Sequence, residues 1–387
     1  MTQQMPSLRT VACLFFSSSR PSAFCRHIAR SPKFLDRLRR AVLPALAAIL
    51  LVLGMAVPSL ATTWTVTSTG DSGTGTLRAA LGSAANGDTI NFSLTYPATI
   101  TLTSGPLTIG TSLAISGPGA ANLFISGNNA TTVFLVNGVT ATISGITIET
   151  GNAGGGWGGG INNGGTLTVS NSTFSGNSAT FGGGIFNNST LTIRDSTFSD
   201  NSASGGWGGG IANIATATII NSTLSNNSAV ISGQVGGQGG GVYDGGTMTL
   251  VNDTFYGNSA NTAQGGGGAI WDKDGILTMK GTILANSPSG GNCSIYLFGF
   301  GTTATSDGYN LSDDSSCTFL TATGDQTGVT GAATYLGPLK NNGGPTSTFA
   351  LLSGSTAIDA IPYGSCTDAN GNPVLTDQRG IVRAGNC

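Results

Sequence analysis

Apolar and polar residues alternate in short runs along the chain. Thr166-Leu167-Thr168-Val169, Thr190-Leu191-Thr192-Ile193 and Thr247-Met248-Thr249-Leu250 each put every second residue on one face. That two-residue period is the mark of a strand buried on one side. Thr and β-branched residues dominate these runs, as suits a pleated surface. Asn-Ser-Thr, Asp-Ser-Thr and Asn-Asp-Thr follow them, and such residues turn corners. Upstream, segments 98–109, 112–115, 123–126, 132–136 and 140–148 read as further strands with less regular corners.

The runs sit inside a repeating block. Gly-Gly-Gly-Ile ends at Ile161, Ile185 and Ile211, Gly-Gly-Gly-Val at Val242, and Gly-Gly-Ala-Ile at Ile270. Thirteen positions after these anchors stand Phe174, Phe198, Leu224, Phe255 and Ile283. Asn177, Asn201, Asn227, Asn258 and Asn286 follow three positions later. The anchors are 24, 26, 31 and 28 residues apart, so all length variation falls between the Asn and the next Gly run. Stacked coils behave this way, because neighbours fix strands and tight corners while one loop bulges outward.

Three short strands per unit predict an all-β fold, a parallel β-helix or solenoid. Each coil advances about 4.8 Å, giving a rod of order 40 Å. Exposed sheet edges at its ends need cover, and Leu77-Arg78-Ala79-Ala80-Leu81 reads as a short helix capping the N-terminal end. The recurrent Asn reads as a buried amide ladder at a corner.

Composition agrees with stacking. Only 8% of the 387 residues are charged and 62 are Gly, against about 25% charged in ordinary soluble domains. Ionised side chains repeated every 4.8 Å or so would repel one another. The net charge of −2 conceals a division. Residues 1–61 carry eight basic residues and one acid, net +7, and the remainder is −9.

Arg37-Leu38-Arg39-Arg40, an uncharged apolar run from 41 to 57 and Pro58-Ser59-Leu60-Ala61 form the three regions of a secretory signal, with cleavage expected after Ala61. Residues 1–32 are long for its positive region, as an upstream start-site assignment would explain. The chain then divides into a leader over 1–61, the β-helix over 62–287 and a loop-rich C-terminal region over 288–387. No further apolar run reaches the length of a helical membrane span. The acidic mature chain argues against nucleic acid or anionic lipid as partner.

The one histidine, His27, leaves with the leader, which excludes Ser-His-Asp and Cys-His machinery and His-ligated zinc. Cys13 and Cys25 leave too. Cys293, Cys317, Cys366 and Cys387 remain, with three pairings open to them. Cys293–Cys317 and Cys366–Cys387 are expected, since both close short local loops.

The Gly-Gly-[Ala/Gly]-Ile and Phe-x-x-Asn pair resembles the repeats of bacterial polymorphic outer-membrane proteins. Phe174-Ser-Gly-Asn177, Phe198-Ser-Asp-Asn201 and Phe255-Tyr-Gly-Asn258 match it fully. The C-terminal stretch resembles the choice-of-anchor Q domain of secreted bacterial β-helix proteins. Its matching motifs are 308–311 (Gly-Tyr-Asn-Leu), 339–346 (Leu-Lys-Asn-Asn-Gly-Gly-Pro-Thr), 355–359 (Ser-Thr-Ala-Ile-Asp) and 376–380 (Thr-Asp-Gln-Arg-Gly). The resemblance implies a right-handed parallel β-helix and export to the cell surface or medium, and it implies little about chemistry. The usual Asp-Ile-Gly-Ala-aromatic tail, a C-terminal barrel and a sorting anchor are not seen, so autotransport and covalent wall attachment are not expected.

Aligned on the anchors, two columns stand out. Four positions before them are Trp157, Phe181, Trp207, Gln238 and Gly266. An aromatic column suits the faces of sugar rings, though aromatics also stack on one another to bury area. Two positions after them are Asn163, Asn187, Asn213, Asp244 and Asp272, with Lys273 and Asp274 beyond. The acids Asp244, Asp272 and Asp274 are the candidate catalytic or Ca²⁺-binding group, with Lys273 as base or neutralising cation. Adjacent carboxylates share a proton or hold a hard cation, and about 5 Å is also a retaining-glycosidase separation. Corner capping by Asp in place of Asn is the plainer alternative. Asp195 and Asp253 are weaker candidates, and Asp368-Ala-Asn370-Gly-Asn372 resembles part of a calcium loop.

Three functions remain. The first is a non-catalytic secreted or cell-surface β-helix for adhesion or glycan contact. The second is a polysaccharide lyase or glycoside hydrolase using the acids. The third is a structural spacer.

Overall fold

The computed structural model describes residues 61–231, 236–261, 266–296, 299, 301–368, 370–383, 385 and 387. The expected signal segment, but for Ala61, lies outside these residues, as do His27, Cys13 and Cys25. Within them the chain winds through about nine turns of parallel β-helix, and every ladder between its named strands is parallel. The turn through 161–181 shows the plan. Ile161–Asn163, Thr166–Ser170, Thr173–Ser175 and Ser178–Phe181 each pair with their counterparts one turn away.

The first sheet has ten strands, from Thr63–Val66 to Thr303–Ser306. The second has eight and holds the Ile-x-Asn strands. The third has nine and holds the Thr-Phe-Ser strands. The middle turns add a fourth sheet of four strands, which makes them four-sided where three strands were expected.

Corner chemistry explains the residue types. Between the first and third sheets the corner residue has positive φ and is Gly145, Asn171, Asp195, Asn221, Asn252 or Gly281. Gly, Asn and Asp tolerate that region best. The first Gly of each Gly run, such as Gly208 at φ +61°, is also left-handed, and a Cβ there would meet the Ile211 carbonyl oxygen. Inside, like residues stack in columns. Phe174 and Phe198 lie 4.4 Å apart at 4° between ring planes, with Phe134 and Phe255 equally buried.

Helix α1, Leu77–Ser83, covers the N-terminal end as expected. Thr76 Oγ1 caps it by accepting from Ala79 N, and Leu77, Ala80 and Leu81 are buried. Arg78 pairs with Asp71 at 2.6 Å and donates to the Gly105 and Pro106 carbonyls, tying the cap to the next turn.

The solenoid continues past 287. Cys293–Tyr296, Thr303–Ser306 and Leu311–Ser312 add to the second, first and third sheets. The Cys293–Cys317 bridge brings Cys317 into the core behind this last turn, and Cys366–Cys387 closes the second loop.

The last repeat departs from the thirteen-residue block. Ile270 and Ile276, the first residues of their strands, are one residue further apart than Val242 and Thr247 in the turn before. The extra residue shifts the register, so Phe255 pairs with Leu284 and not Ile283. Leu284 occupies the core, and Ile283 faces outward. Asn286 is likewise displaced from the ladder onto an exposed left-handed corner, where its N–H donates to Asp313.

The C-terminal segment folds back across the turns instead of hanging free. Gln378 is buried. Its Nε2 reaches Ser196 O and Thr197 Oγ1, and its Oε1 accepts from Thr223 Oγ1 one turn further on. Thr197 Oγ1 donates to Ser347 O, Asn221 Nδ2 to Thr376 O, and Lys280 Nζ to Thr367 Oγ1. Phe349 packs on Tyr256 with ring centroids 4.7 Å apart.

Candidate functional site

Two polar ladders run through the interior. Asn177, Asn201, Asn227 and Asn258 form the expected one. Each of the first three donates Nδ2 to the next Oδ1 at 2.9 Å. A second Nδ2 bond to the preceding turn (Asn201 to Phe174 O, for example) satisfies the amide. All four are buried, so this is structure and not a contact surface.

The second ladder runs through the column that ends in acids. Asn163, Asn187 and Asn213 each pass Nδ2 to the next Oδ1 at 2.7 Å, and the last acceptor is Asp244 Oδ1. Asp244 pairs in register with Asp272, and neither has solvent exposure. Asp244 Oδ1 also accepts from Gly246 N, and Asp272 Oδ1 from Gly275 N, but neither Oδ2 has a hydrogen-bond partner. Burial pushes Asp244 up to about 7 against the pull of the Asn213 and Gly246 donors, with the Asp272 charge adding to the rise. Burial likewise pushes Asp272 up to about 6, opposed by the Gly275 N–H and reinforced by Asp274. A proton on Asp244 Oδ2 would restore the donor that Asn supplies in earlier turns, and Asp272 is the next residue of that column. The column is therefore continued by a carboxylic acid standing in for an amide.

Asp274 is not brought into this group. It is exposed at a left-handed corner, φ +57°, and accepts from Gly299 N. Lys273 is also exposed. Among the described residues no three His, Cys, Asp or Glu side chains are grouped to hold a metal. Asp253 is an internal member of a Ser ladder, accepting from Ser222 N and Val251 N. Asp195 sits at a corner, where Asn221 donates to it and burial pushes its pKa up. Asp368 spends its oxygens on Asn370 N, Asn372 N and Asn372 Nδ2, which makes its segment a turn.

The aromatic column is real and larger than the sequence alignment suggested. Trp157, Phe181, Trp207 and Gln238 pair turn on turn as aligned. The Gly run that follows brings the residue just after each anchor alongside, adding Phe186, Tyr243 and Trp271. Trp157 stacks on Phe186 at 5.1 Å, Phe181 meets Trp207 at 4.6 Å, and Trp207 stacks on Tyr243 at 4.9 Å. Trp271 and Tyr296 continue the line at 6.3 Å. Phe186 and Tyr243 are buried beneath their neighbours; Trp157 is 50% and Tyr296 48% exposed, and Phe181, Trp207 and Trp271 are half-buried. Tyr243 is pushed up to about 12, by burial first and then by Asp244, Asp274 and Asp272, so its hydroxyl stays neutral. The result is a ridge of seven aromatic side chains on the outer face of the second and fourth sheets. Three of its additional members, Phe186, Tyr243 and Trp271, stand directly after their anchors, while Tyr296 lies beyond the last marked repeat.

A family model described as a right-handed β-helix region matches residues 116–287. A crystal structure of the pectate lyase Pel9A superposes with a TM-score of 0.51 at 14% identity, over 84% of this chain and 97% of that one. Such low identity shows the fold alone. No curated protein matches the chain at a significant level. The fold is thus a right-handed parallel β-helix with two disulfides in its C-terminal region.

Proposed function

We propose that this is a secreted or cell-surface β-helix protein that contacts glycans without transforming them, through the aromatic ridge. The observation that carries this reading is the line of rings from Trp157 to Tyr296, exposed at both ends and presented on a rigid sheet. Aromatic faces pack against the C–H faces of sugars, and a row at turn spacing suits an extended chain. The charge-poor repeats beside the ridge suit a neutral polymer. Export rests on the signal-like segment. Among the described residues no helix is long and apolar enough to cross a membrane.

A glycan array probed with the intact protein and a Trp157→Ala/Trp207→Ala variant tests this. Binding should fall at least about tenfold, the loss of one or two stacking contacts. Equal binding by both proteins would remove the ridge from the mechanism.

The fold likeness to a pectate lyase supports a second reading, a polysaccharide lyase or hydrolase. It requires acids or bases that a polymer can reach, and Asp244 and Asp272 are sealed inside the coil. Unsaturated products or new reducing ends over a pectin, alginate and glycosaminoglycan panel would establish this reading and direct attention to other residues.

A further inference from the structure

Between the third sheet and the C-terminal segment lies a cavity of about 350 Å³. One wall is apolar, with Ile283 from the sheet and Phe349 and Leu351 from the segment. The other carries Asp377, Arg379 and Arg383. The displaced register of the last repeat creates the apolar wall, since it turns Ile283 outward.

The charges on the polar wall do not cancel. Asp377 is saturated: Oδ1 accepts from Arg379 N and Ile381 N, and Oδ2 from Arg379 Nε and Nη2 at 2.9 and 2.6 Å. With Arg379 it forms a neutral pair. Asp253, at the cavity floor, is fully buried, and burial pushes it well toward its neutral form. Arg383 differs. It donates to Thr376 O and Asn221 Oδ1, and among the described residues it has no carboxylate within ion-pair distance. Burial pulls its pKa down, although Asp377 and Asp195 oppose the fall. Two of its five N–H donors are used.

We propose that this cavity binds a single carboxylate-bearing sugar residue. The apolar wall takes the C–H face of the ring, the remaining N–H groups of Arg379 and the amides nearby take its hydroxyls, and Arg383 takes the carboxylate in a charge-assisted bond. The volume falls in the range of small-ligand pockets. The site is separate from the ridge, because it rests on the third sheet and the ridge on the second and fourth.

Isothermal titration of the full chain with D-glucuronate, D-glucose and acetate tests this. Glucuronate should bind at least about tenfold more tightly than glucose or acetate, since neither supplies both ring and carboxylate. Arg383→Gln should lose about tenfold in affinity for glucuronate. Arg383 also ties down the C-terminal segment, so Ala357→Phe, which adds a ring at a different lining position, provides the second variant and should abolish binding. Absence of glucuronate binding, glucose binding as tight as glucuronate, or wild-type affinity in Ala357→Phe would each overturn the proposal. None of these outcomes depends on whether the ridge binds glycan.

Discussion

Replacing Asp244 with Asn should stabilise the protein, and only above acidic pH. The three preceding positions in its column are Asn, each donating 2.7 Å to the next side chain. Asp244 must hold a proton to do the same. Its pKa of about 7 in the folded chain compares with 3.8 for a free carboxyl. A raised acid pKa means that the folded state binds the proton more tightly than the unfolded state. Its contribution is therefore full below 3.8, is lost as pH rises toward 7, and is flat above that. Three units at about 1.4 kcal/mol each put the loss on the order of 4 kcal/mol. In Asp244→Asn the amide supplies that donor without a proton from solvent. Urea unfolding of both proteins at pH 4 and pH 8 should show the variant more stable at pH 8 by on the order of 4 kcal/mol, with the gap shrinking below about 1 kcal/mol at pH 4. Acids not coupled to Asp244 titrate equally in both proteins and drop out of the difference, while Asp272, whose charge adds to the rise of Asp244, ionises more easily beside an Asn and widens the gap at pH 8. A gap independent of pH, or a variant less stable at pH 8, would refute the account of a carboxylic acid acting as an amide.

Two further outcomes follow from the packing. Gly208→Ala places a Cβ against the Ile211 carbonyl at φ +61°. Thermal unfolding should shift down by the equivalent of at least about 1–2 kcal/mol, the left-handed penalty alone, whereas Ala at Gly155, which has open space around it, should change little. Gln378→Ala removes the amide that holds Ser196, Thr197 and Thr223 together. Limited proteolysis should then cut the region after 330 faster while leaving the coils intact, and an unchanged cleavage rate would remove Gln378 from that role.

Most of the architecture was legible because stacking imposes identity. The Gly run, the Phe and the Asn each answer one demand: a left-handed turn, a core column and a corner ladder. What the alignment missed came from one inserted residue. Counting from Ile270 placed Ile283 in the core and Asn286 in the ladder, and only the pairing of Phe255 with Leu284 reveals the slip. The acids were found for a sound reason, as departures from a polar column, but sequence does not state which side of a strand is sealed. Asp244 and Asp272 face inward, while Asp274 turns outward at its own corner. Phe186, Tyr243 and Trp271 went unread because ring contact crosses a turn of Gly residues, so the pairing is diagonal between two columns.

The returning C-terminal segment also acts as a gauge of length. It grips the coils at Thr197, Asn221, Thr223 and Lys280, and through Gln378 it clasps two consecutive turns at once. Because the first four thirteen-residue blocks are interchangeable in register, a duplicate of one of them would extend the internal columns without mismatch. Upstream of Asp195 such a duplication lengthens the rod by about 4.8 Å and leaves the clasp untouched. Between Asp195 and Lys280 it pulls the anchor points apart beyond the reach of a segment of fixed length. A coil added upstream of Asp195 is thereby the addition that the clasp tolerates.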